Sequence, residues 1–403
     1  MILMVYHPDS KILEKYADVL VRFALNDGNG IKKGDVVLLS VPECAKPILI
    51  PLQKAVLKAG GHYITNYLPD ETERHYYELA EEHHLDFFPD KLLRGRVDQM
   101  DHSISILAEP NKKELEGIDP KKIMRKSKAF KQLKEWRDEK ENAGKFTWTL
   151  ALYGTEAMAK EAGCSIEEYW AQIISACYLD LEDPIAEWRK VFGEVQRVQD
   201  TLNSLDIEDL HVEAEGVDLH VGIGKGRKWM GGSGRNIPSF EVFISPDWRK
   251  TDGYIEFDQP LYRYGNLIEG VRLEFKNGKV VSASAKSGEQ VLKEMIATEN
   301  ADKIGEYSLT DVRLSKINRF MAETLFDENF GGEFGNTHVA LGSAYKDSYP
   351  GDPSKVTKEE WGNLGYNESV VHTDIVSTRN RKVTATLASG EKKLIYENGK
   401  FTI

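Results

Sequence analysis

The chain has 403 residues, enough for two domains that each bury a core, and its formal net charge is -12 at pH 7. This acidic balance disfavours binding to nucleic acids and to anionic membranes, because both require a basic protein surface. Three widely spaced cysteines, an apolar start that lacks the basic region of a secretory signal, and no apolar window of transmembrane length together predict a cytoplasmic protein with reduced thiols.

The first half of the chain alternates helix and strand patterns. Short apolar runs predict buried strands at residues 35–40, 63–67, 103–107 and 146–152. Apolar residues at helical spacing predict helices at residues 13–25, 47–59, 71–84, 165–177 and 183–205. This order is typical of an α/β domain with a largely parallel sheet covered on both faces, and we assign it to residues 1–205.

The pattern changes near residue 206, where short alternating strands and tight turns begin. Residues 271–275 and 280–285 predict two strands joined by the hairpin turn Asn277-Gly278. Ser287 and Gln290 predict a capping box at the start of the next helix. We therefore predict that residues 206–403 form an α+β domain rich in antiparallel strands, and that this domain carries the functional site.

Acidic residues and histidines in the second half predict a cation site. His372 and Asp374 lie two apart in an apolar strand pattern, so their side chains point to the same face. Glu241 is flanked by Phe and Val, and burying a carboxylate there without a partner would cost several kcal/mol. Glu306 and His338 lie beside small or apolar residues. A fold that brings these side chains together would offer oxygen and imidazole ligands to a metal ion.

Five segments, in order through the second half, resemble the signature segments of the aminopeptidase T and aminopeptidase S metallopeptidases. They are Asn236-Ile237-Pro238 with Glu241, Gly305-Glu306, the stretch 325–329, the stretch 338–345, and His372 with Asp374. The resemblance implies a site for two divalent metal ions (zinc, cobalt or manganese) with the ligands Glu241, Glu306, Glu328, His338, His372 and Asp374. The chain is longer than familiar members between Glu328 and His338, so Glu333 is an alternative to Glu328.

The resemblance also implies an activity and an assembly. The expected reaction is removal of N-terminal residues from short peptides by a metal-activated water, in a homodimer. Glu306 is expected to bridge the metals and to accept the proton of the water. Tyr345 is expected to donate a hydrogen bond to the developing oxyanion.

Two other functions use parts of the same residue set. His338, His372 and Asp374 alone would form the two-histidine, one-carboxylate triad of non-haem Fe(II) ring-cleaving dioxygenases. A single iron does not need Glu241 and Glu306, so these acids favour the peptidase. The third alternative is an inactive binding homologue whose acids are merely solvated.

Overall fold

The computed structural model describes residues 6–403. The apolar start, for which we expect no secretory signal, lies outside this range. The helices are α1 (Ser10–Arg22), α2 (Lys46–Lys58), α3 (Glu73–Leu79), α4 (Glu82–Leu85), α5 (Asp90–Gln99), α6 (Pro120–Ala129), α7 (Lys131–Asn142), α8 (Glu156–Glu161), α9 (Ile166–Ala176), α10 (Pro184–Asn203), α11 (Glu289–Ile296), α12 (Thr324–Asp327) and α13 (Lys358–Leu364). None of the helices within residues 6–403 is both long and apolar enough to cross a lipid bilayer.

The strands of the first half are β1 (Val36–Pro42), β2 (His62–Leu68), β3 (His102–Leu107) and β4 (Thr147–Leu152). Those of the second half are β5 (Ile207–Ala214), β6 (Val217–Gly222), β7 (Met230–Gly231), β8 (Asn236–Ile237), β9 (Glu241–Ile244), β10 (Thr251–Glu256), β11 (Leu261–Arg263), β12 (Asn266–Ile268), β13 (Arg272–Lys276), β14 (Lys279–Ser284), β15 (Ile304–Thr310), β16 (Asn336–Gly342), β17 (His372–Ser377), β18 (Arg381–Leu387), β19 (Lys392–Glu397) and β20 (Lys400–Phe401).

A parallel sheet organises the first half, which confirms the predicted α/β class. Its strand order is β2-β1-β3-β4-β8, and every neighbouring pair is parallel. Parallel strands need a crossover between them, and the intervening helices supply it. The last strand, β8, comes from the second half of the chain, so the two halves share this sheet. The domain boundary near residue 206 stays a prediction.

Antiparallel sheets dominate the second half, as predicted. One has eight strands in the order β14-β13-β10-β6-β5-β18-β19-β20, and another has five in the order β17-β16-β15-β9-β7. The five-stranded sheet carries the residues discussed below. One of its faces packs into the main core through Tyr307, Leu309, Val339, Leu341 and Ile375, all fully buried.

Two local predictions are wrong. The helix predicted over 71–84 is broken into α3 and α4, because the chain becomes extended at Ala80. The capping box of Ser287 and Gln290 does not form, because Ser287 is used in a β-bridge with Glu269. Helix α11 instead begins after Gly288, whose φ of 69° is a left-handed conformation that glycine adopts at little cost.

Candidate metal centre

Four neighbouring strands of the five-stranded sheet present the predicted side chains on one face. Residues directly opposite each other in a ladder share a face, and so do residues two apart on a strand. Glu241 lies opposite Thr310 and His338 opposite Ser308, while Glu306 and Asp374 both lie opposite Ala340. Thr310, Ser308 and Glu306 alternate along β15, so all these positions belong to the same face.

His338 meets two carboxylates at the centre of this face. Its Nε2 atom lies 3.0 Å from Oε1 of Glu306 and 3.2 Å from Oε2 of Glu241. Asp374 is more distant, with Oδ1 at 3.8 Å from the same nitrogen. Glu241, Glu306 and His338 are buried, and they form one group whose ligand atoms are close enough to hold a single cation.

His372 forms a second group beside the first. Its Nε2 atom lies 3.5 Å from Oδ1 of Asp374 and 3.7 Å from Oε2 of Glu306. The two oxygens of Glu306 therefore face different histidines, Oε1 towards His338 and Oε2 towards His372. Glu306 belongs to both groups, which is the position that a bridging carboxylate would take.

Backbone and hydroxyl groups fix the orientation of these ligands. Nδ1 of His372 donates a hydrogen bond to the carbonyl oxygen of Ser343 at 2.8 Å, and Nδ1 of His338 faces the carbonyl oxygen of Glu328 at 3.3 Å. Each contact places the ring proton on Nδ1, so the lone pair of Nε2 is free to bind a metal ion. The Ser308 hydroxyl donates to Oε2 of Glu241 at 3.0 Å and so orients that carboxylate.

Small residues keep the space between the ligands open. Ala340 lies between Glu306 and Asp374 in the cross-strand row, where a longer side chain would fill the gap between the two carboxylates. Gly305 precedes Glu306 at a β-bulge, and an added Cβ there would collide with the carbonyl oxygens of Gly342 and Ser343. Glycine at this position therefore lets the strand approach the loop that orients His372.

Glu328 and Glu333 have different surroundings. Glu328 follows α12, is 6% exposed, lines the cavity described below, and accepts a hydrogen bond from the Asn236 amide at 2.8 Å. Glu333 is exposed in the glycine-rich loop and does not line that cavity. The loop geometry therefore favours Glu328 as the sixth candidate ligand.

The carboxylates of the cluster strongly affect each other. Burial and the charges of Glu306 and Asp374 outweigh the opposite effect of His338 and together raise the pKa of Glu241 to about 7. Burial and the charges of Asp374 and Glu241 also raise the pKa of Glu328. Although burial favours its neutral form, the charges of Asp374 and Glu306 raise the pKa of His372 to about 9. Without a bound cation, the cluster would hold protons that metal ligands must release.

The donor set fits divalent metal ions. Buried carboxylates in this number require compensating positive charge, and the two imidazoles supply it only when they are protonated. Oxygen ligands with two imidazoles suit zinc, cobalt or manganese. The two ligand groups that share Glu306 provide places for two ions.

Tyr345 lies against the cluster, at a wall between two cavities. Its ring packs edge-on against the imidazole of His372, with centroids 4.9 Å apart. Burial and the charges of Glu306 and Asp374 hold the pKa of Tyr345 well above its ordinary value, so its hydroxyl keeps its proton and can donate. The guanidinium of Arg235 lies 5.4 Å from the centre of the tyrosine ring.

Arg235 is fixed by two ion pairs, one of which joins the two halves of the chain. It contacts Glu141 of α7 at 2.7 Å and Asp347 at 2.5 Å. It also lies over Trp148, at 5.5 Å from the ring centre. These two carboxylates and the rings of Trp148 and Tyr345 limit the movement of Arg235. Arg235 therefore holds Tyr345 in place between the two cavities.

The cluster opens into a cavity of about 360 Å³ between the two halves of the chain. On another wall of this cavity, the buried ammonium of Lys112 lies 2.9 Å from Glu323 and 3.1 Å from Glu109. A second cavity of about 660 Å³ shares Trp148, Ser233, Arg235, Tyr345 and His372 with the first. The candidate centre is therefore reached through a confined space rather than an open surface.

Several residues of this site were not predicted from the sequence. Ser308 could have been found, because it lies two residues after Glu306 on the same strand. Arg235 and Lys112 gave no local signal, because charged residues are usually exposed and only the tertiary structure buries them. The role of Ser343 could not be predicted either, because its backbone carbonyl oxygen, and not its side chain, contacts His372.

Comparisons with known proteins found similarity over nearly the whole chain. The thermophilic metalloprotease (M29) family matches residues 9–401. Aminopeptidase T of Thermus thermophilus is 30% identical over 97% of this chain and 98% of its own length, and aminopeptidase AmpS of Bacillus subtilis is 28% identical over the same shares. The solved structure of wild-type AmpT from Thermus thermophilus superposes with a TM-score of 0.82 at 26% identity, covering 98% of this chain and 99% of that one.

Proposed function

Since this chain belongs to the M29 family of metalloproteases, we propose that it is a metal-dependent aminopeptidase that removes N-terminal residues from short peptides. The observation that carries the proposal is the shared carboxylate Glu306, which joins two histidine-containing ligand groups inside one buried cavity. Dinuclear hydrolytic sites need such a shared ligand to hold two ions close together.

We propose that Glu241, Glu306 and His338 bind one ion and that Glu306, His372 and Asp374 bind the other, with Glu328 as a further ligand. When bound, such cations supply Lewis acidity and lower the pKa of a water molecule towards neutrality. The carbonyl groups that accept from Nδ1 of each histidine support this assignment, because they present Nε2 to the cluster.

The side chains around the cluster have distinct roles in the proposed reaction. Glu306 accepts the proton of the attacking water, since its carboxylate lies at the centre of the cluster. Tyr345 donates a hydrogen bond to the oxyanion that develops on the scissile carbonyl. Arg235 does not contact the reacting atoms in this assignment; it keeps the tyrosine ring beside His372.

The size and charge of the cavity support short peptides as substrates. A volume of about 360 Å³ falls within the range of small-molecule pockets, about 300–1,000 Å³. Bound cations would favour a free α-amino group over an acylated one, because the lone pair of an acylated nitrogen is delocalised into its carbonyl group and is not available to a metal ion. A homodimer remains an expectation from the family resemblance, and a cytoplasmic location remains an expectation from the composition of the sequence.

The two alternatives from the sequence receive less support. A single-iron dioxygenase needs His338, His372 and Asp374, but it gives no role to Glu241 and Glu306, which lie closer to His338 than Asp374 does. A binding homologue with solvated acids does not account for the burial of Glu241 and Glu306 at 7% and 3% exposure. Membership of a metalloprotease family also favours hydrolysis.

Hydrolysis of dipeptides by the full chain tests the proposal. A chelator is expected to abolish cleavage, and added zinc, cobalt or manganese is expected to restore it. The same dipeptides with acetylated N-termini serve as controls and are expected to remain intact. Metal analysis completes the test, because one iron per chain with oxygen uptake would instead indicate the dioxygenase.

The variants Glu328→Gln and Glu333→Gln test the sixth ligand. Both remove one negative charge from neighbouring parts of the same segment, but only Glu328 lines the cavity. We expect Glu328→Gln to lower metal affinity and turnover, and Glu333→Gln to leave both unchanged. The reverse result would assign the ligand to Glu333.

A further inference from the structure

The outer face of the eight-stranded sheet carries a second group of potential metal ligands, on strands β5 and β6. Leu210 and Val212 of β5 and Leu219 and Val221 of β6 point inwards and are fully buried. The alternate positions point outwards, and each of the following carries an acid or a histidine: Asp209, His211, Glu213, Asp218 and His220. These five outward positions of the two strands therefore hold only carboxylates and imidazoles.

The two histidines form a cross-strand pair. His211 lies directly opposite His220 in the ladder, and their rings stack with centroids 4.3 Å apart and an interplanar angle of 7°. Nε2 of His211 lies 2.8 Å from Oδ1 of Asp218, and Nδ1 of His220 lies 2.9 Å from Oδ2 of Asp209. One ligand atom from each of His211, Asp218 and His220 lies within 4.8 Å of the others.

A cation at this place would relieve an unfavourable arrangement of charge. Glu213 and Asp218 are directly opposite in the ladder, and like charges in such pairs are destabilising. On the other side of β5, Lys382 of β18 lies opposite Glu213. On the other side of β6, the residue opposite Asp218 is the uncharged Tyr254 of β10. On the far side of His220 the opposite residue is Asp252, which adds another carboxylate to the row.

We propose that this face holds a separate binding site for a divalent transition cation such as Zn²⁺, with His211, His220 and Asp218 as ligands. Paired imidazoles with a carboxylate suit Zn²⁺, Ni²⁺ and Cu²⁺. Because a metal ion lies in the plane of each imidazole that binds it, at about 2.0–2.2 Å, the two rings must first turn out of their parallel stack. The partial exposure of both side chains leaves room for this rotation. The backbone positions are already fixed, because β5 and β6 lie inside the sheet between β18 and β10.

The proposed site differs from the candidate metal centre in its position and in the effect of a bound ion. It lies in another sheet, and none of its ligands lines the cavity around Glu306. The bound ion links two antiparallel strands, so it stabilises the folded chain without taking part in peptide hydrolysis. The inference therefore does not depend on the proposed function.

Zinc binding by the full chain tests this proposal. The chelator-treated protein is dialysed against Zn²⁺, and the bound metal is counted by mass spectrometry. We expect the double variant His211→Ala/His220→Ala to bind one equivalent fewer per chain than the original protein, with unchanged peptidase activity. The variant His372→Ala, altered in the cavity, is expected to keep this equivalent.

The pair His83 and His84 provides a matched control. Their rings are also close, with centroids 3.7 Å apart and an interplanar angle of 39°, and Glu81 lies beside them, but they are consecutive residues in a short exposed helix. We expect His83→Ala/His84→Ala to bind as much Zn²⁺ as the original protein. Unchanged zinc in the His211/His220 variant, or an equal loss in both doubles, would overturn the proposal.

A spectroscopic measurement covers the case in which the double variant unfolds. The single variant His220→Asn keeps a polar side chain at an exposed position, so it is expected to retain the fold. With Cu²⁺ as the probe, electron paramagnetic resonance should report two imidazole nitrogens in the original protein and one at this site in the variant. Identical copper spectra from the two proteins would contradict the assignment.

Discussion

Replacing Glu306 by glutamine is expected to leave the fold intact and to remove most of the activity. Glutamine has nearly the same shape, so the fully buried strand β15 gains neither a cavity nor an overpacked side chain. It cannot accept the proton of a water molecule, and it is a poor bridge between two cations because it lacks the negative charge. The substitution therefore separates the chemistry of Glu306 from its packing.

The expected size of the loss follows from the position of the carboxylate. A positioned general base contributes about 10²–10⁴-fold to the rate, which corresponds to about 2.7–5.4 kcal/mol in the activation barrier. Glu306 also faces both histidines, at 3.0 Å and 3.7 Å, so its charge supports two ligand groups at once. We therefore expect a loss of kcat/KM near the upper end of this range.

The assay is the steady-state hydrolysis of an aminoacyl chromogenic substrate, with metal content measured on the same samples. Glu333→Gln is the matched control, because it removes the same charge from an exposed loop position. Circular dichroism and thermal melting check that both variants are folded. A folded, metal-loaded Glu306→Gln protein with kcat/KM within about tenfold of the original would refute the reasoning.

Three further outcomes are expected. Tyr345→Phe should lower kcat by about 10²–10³-fold with little change in KM, as for the loss of one oxyanion donor; a change confined to KM would assign Tyr345 to substrate binding. Lys112→Met should lower the free energy of unfolding by about 3 kcal/mol in urea titrations, because it leaves the largely buried carboxylate of Glu323 unpaired. Lys113→Met, which breaks a more exposed pair, should cost no more than about 1 kcal/mol, and equal losses would contradict the explanation. In chelated protein the pKa of Glu241 is raised to about 7 and that of His372 to about 9. Their protonated forms stabilise the metal-free fold at low pH, fully below the unfolded values of about 4.3 and 6.5, and this stability is lost as the pH rises through about 7 and about 9. Added metal, which requires the deprotonated forms, should therefore raise the melting temperature more at pH 8 than at pH 5, and an equal increase at both would count against the cluster as the binding place.

The fold class could be predicted from the sequence because its signals are local. Apolar runs separated by helical patterns predicted the parallel sheet, and the turn Asn277-Gly278 predicted the hairpin of β13 and β14. The joining of β8 to the parallel sheet could not be predicted. Two residues are too short to show any periodicity, and their partner strand lies more than eighty positions earlier in the chain.

Unlike the fold class, the candidate site could be predicted only in part from local patterns. The spacing of His372 and Asp374 gave a shared face directly, but the convergence of Glu241, Glu306 and His338 depends on the register of two strand pairs. Local patterns do not encode that register, so only the resemblance to known metallopeptidases linked these segments.

Burial of charge was the hardest property to predict. Arg235 and Lys112 look like surface residues in the sequence, yet both are held by carboxylates from the other half of the chain. The same limitation applied to His211 and His220, which share a row only because β5 and β6 pair in one particular register.

Five of the six candidate ligands come from adjacent strands whose backbone amides are already paired with each other. A substitution at one of them removes a side chain while the hydrogen-bonded framework beneath it stays in place. Kinetic differences among such variants would then report the chemical role of each side chain rather than a loss of the folded structure. This makes the enzyme a favourable subject for assigning, one carboxylate at a time, what each candidate ligand contributes to catalysis.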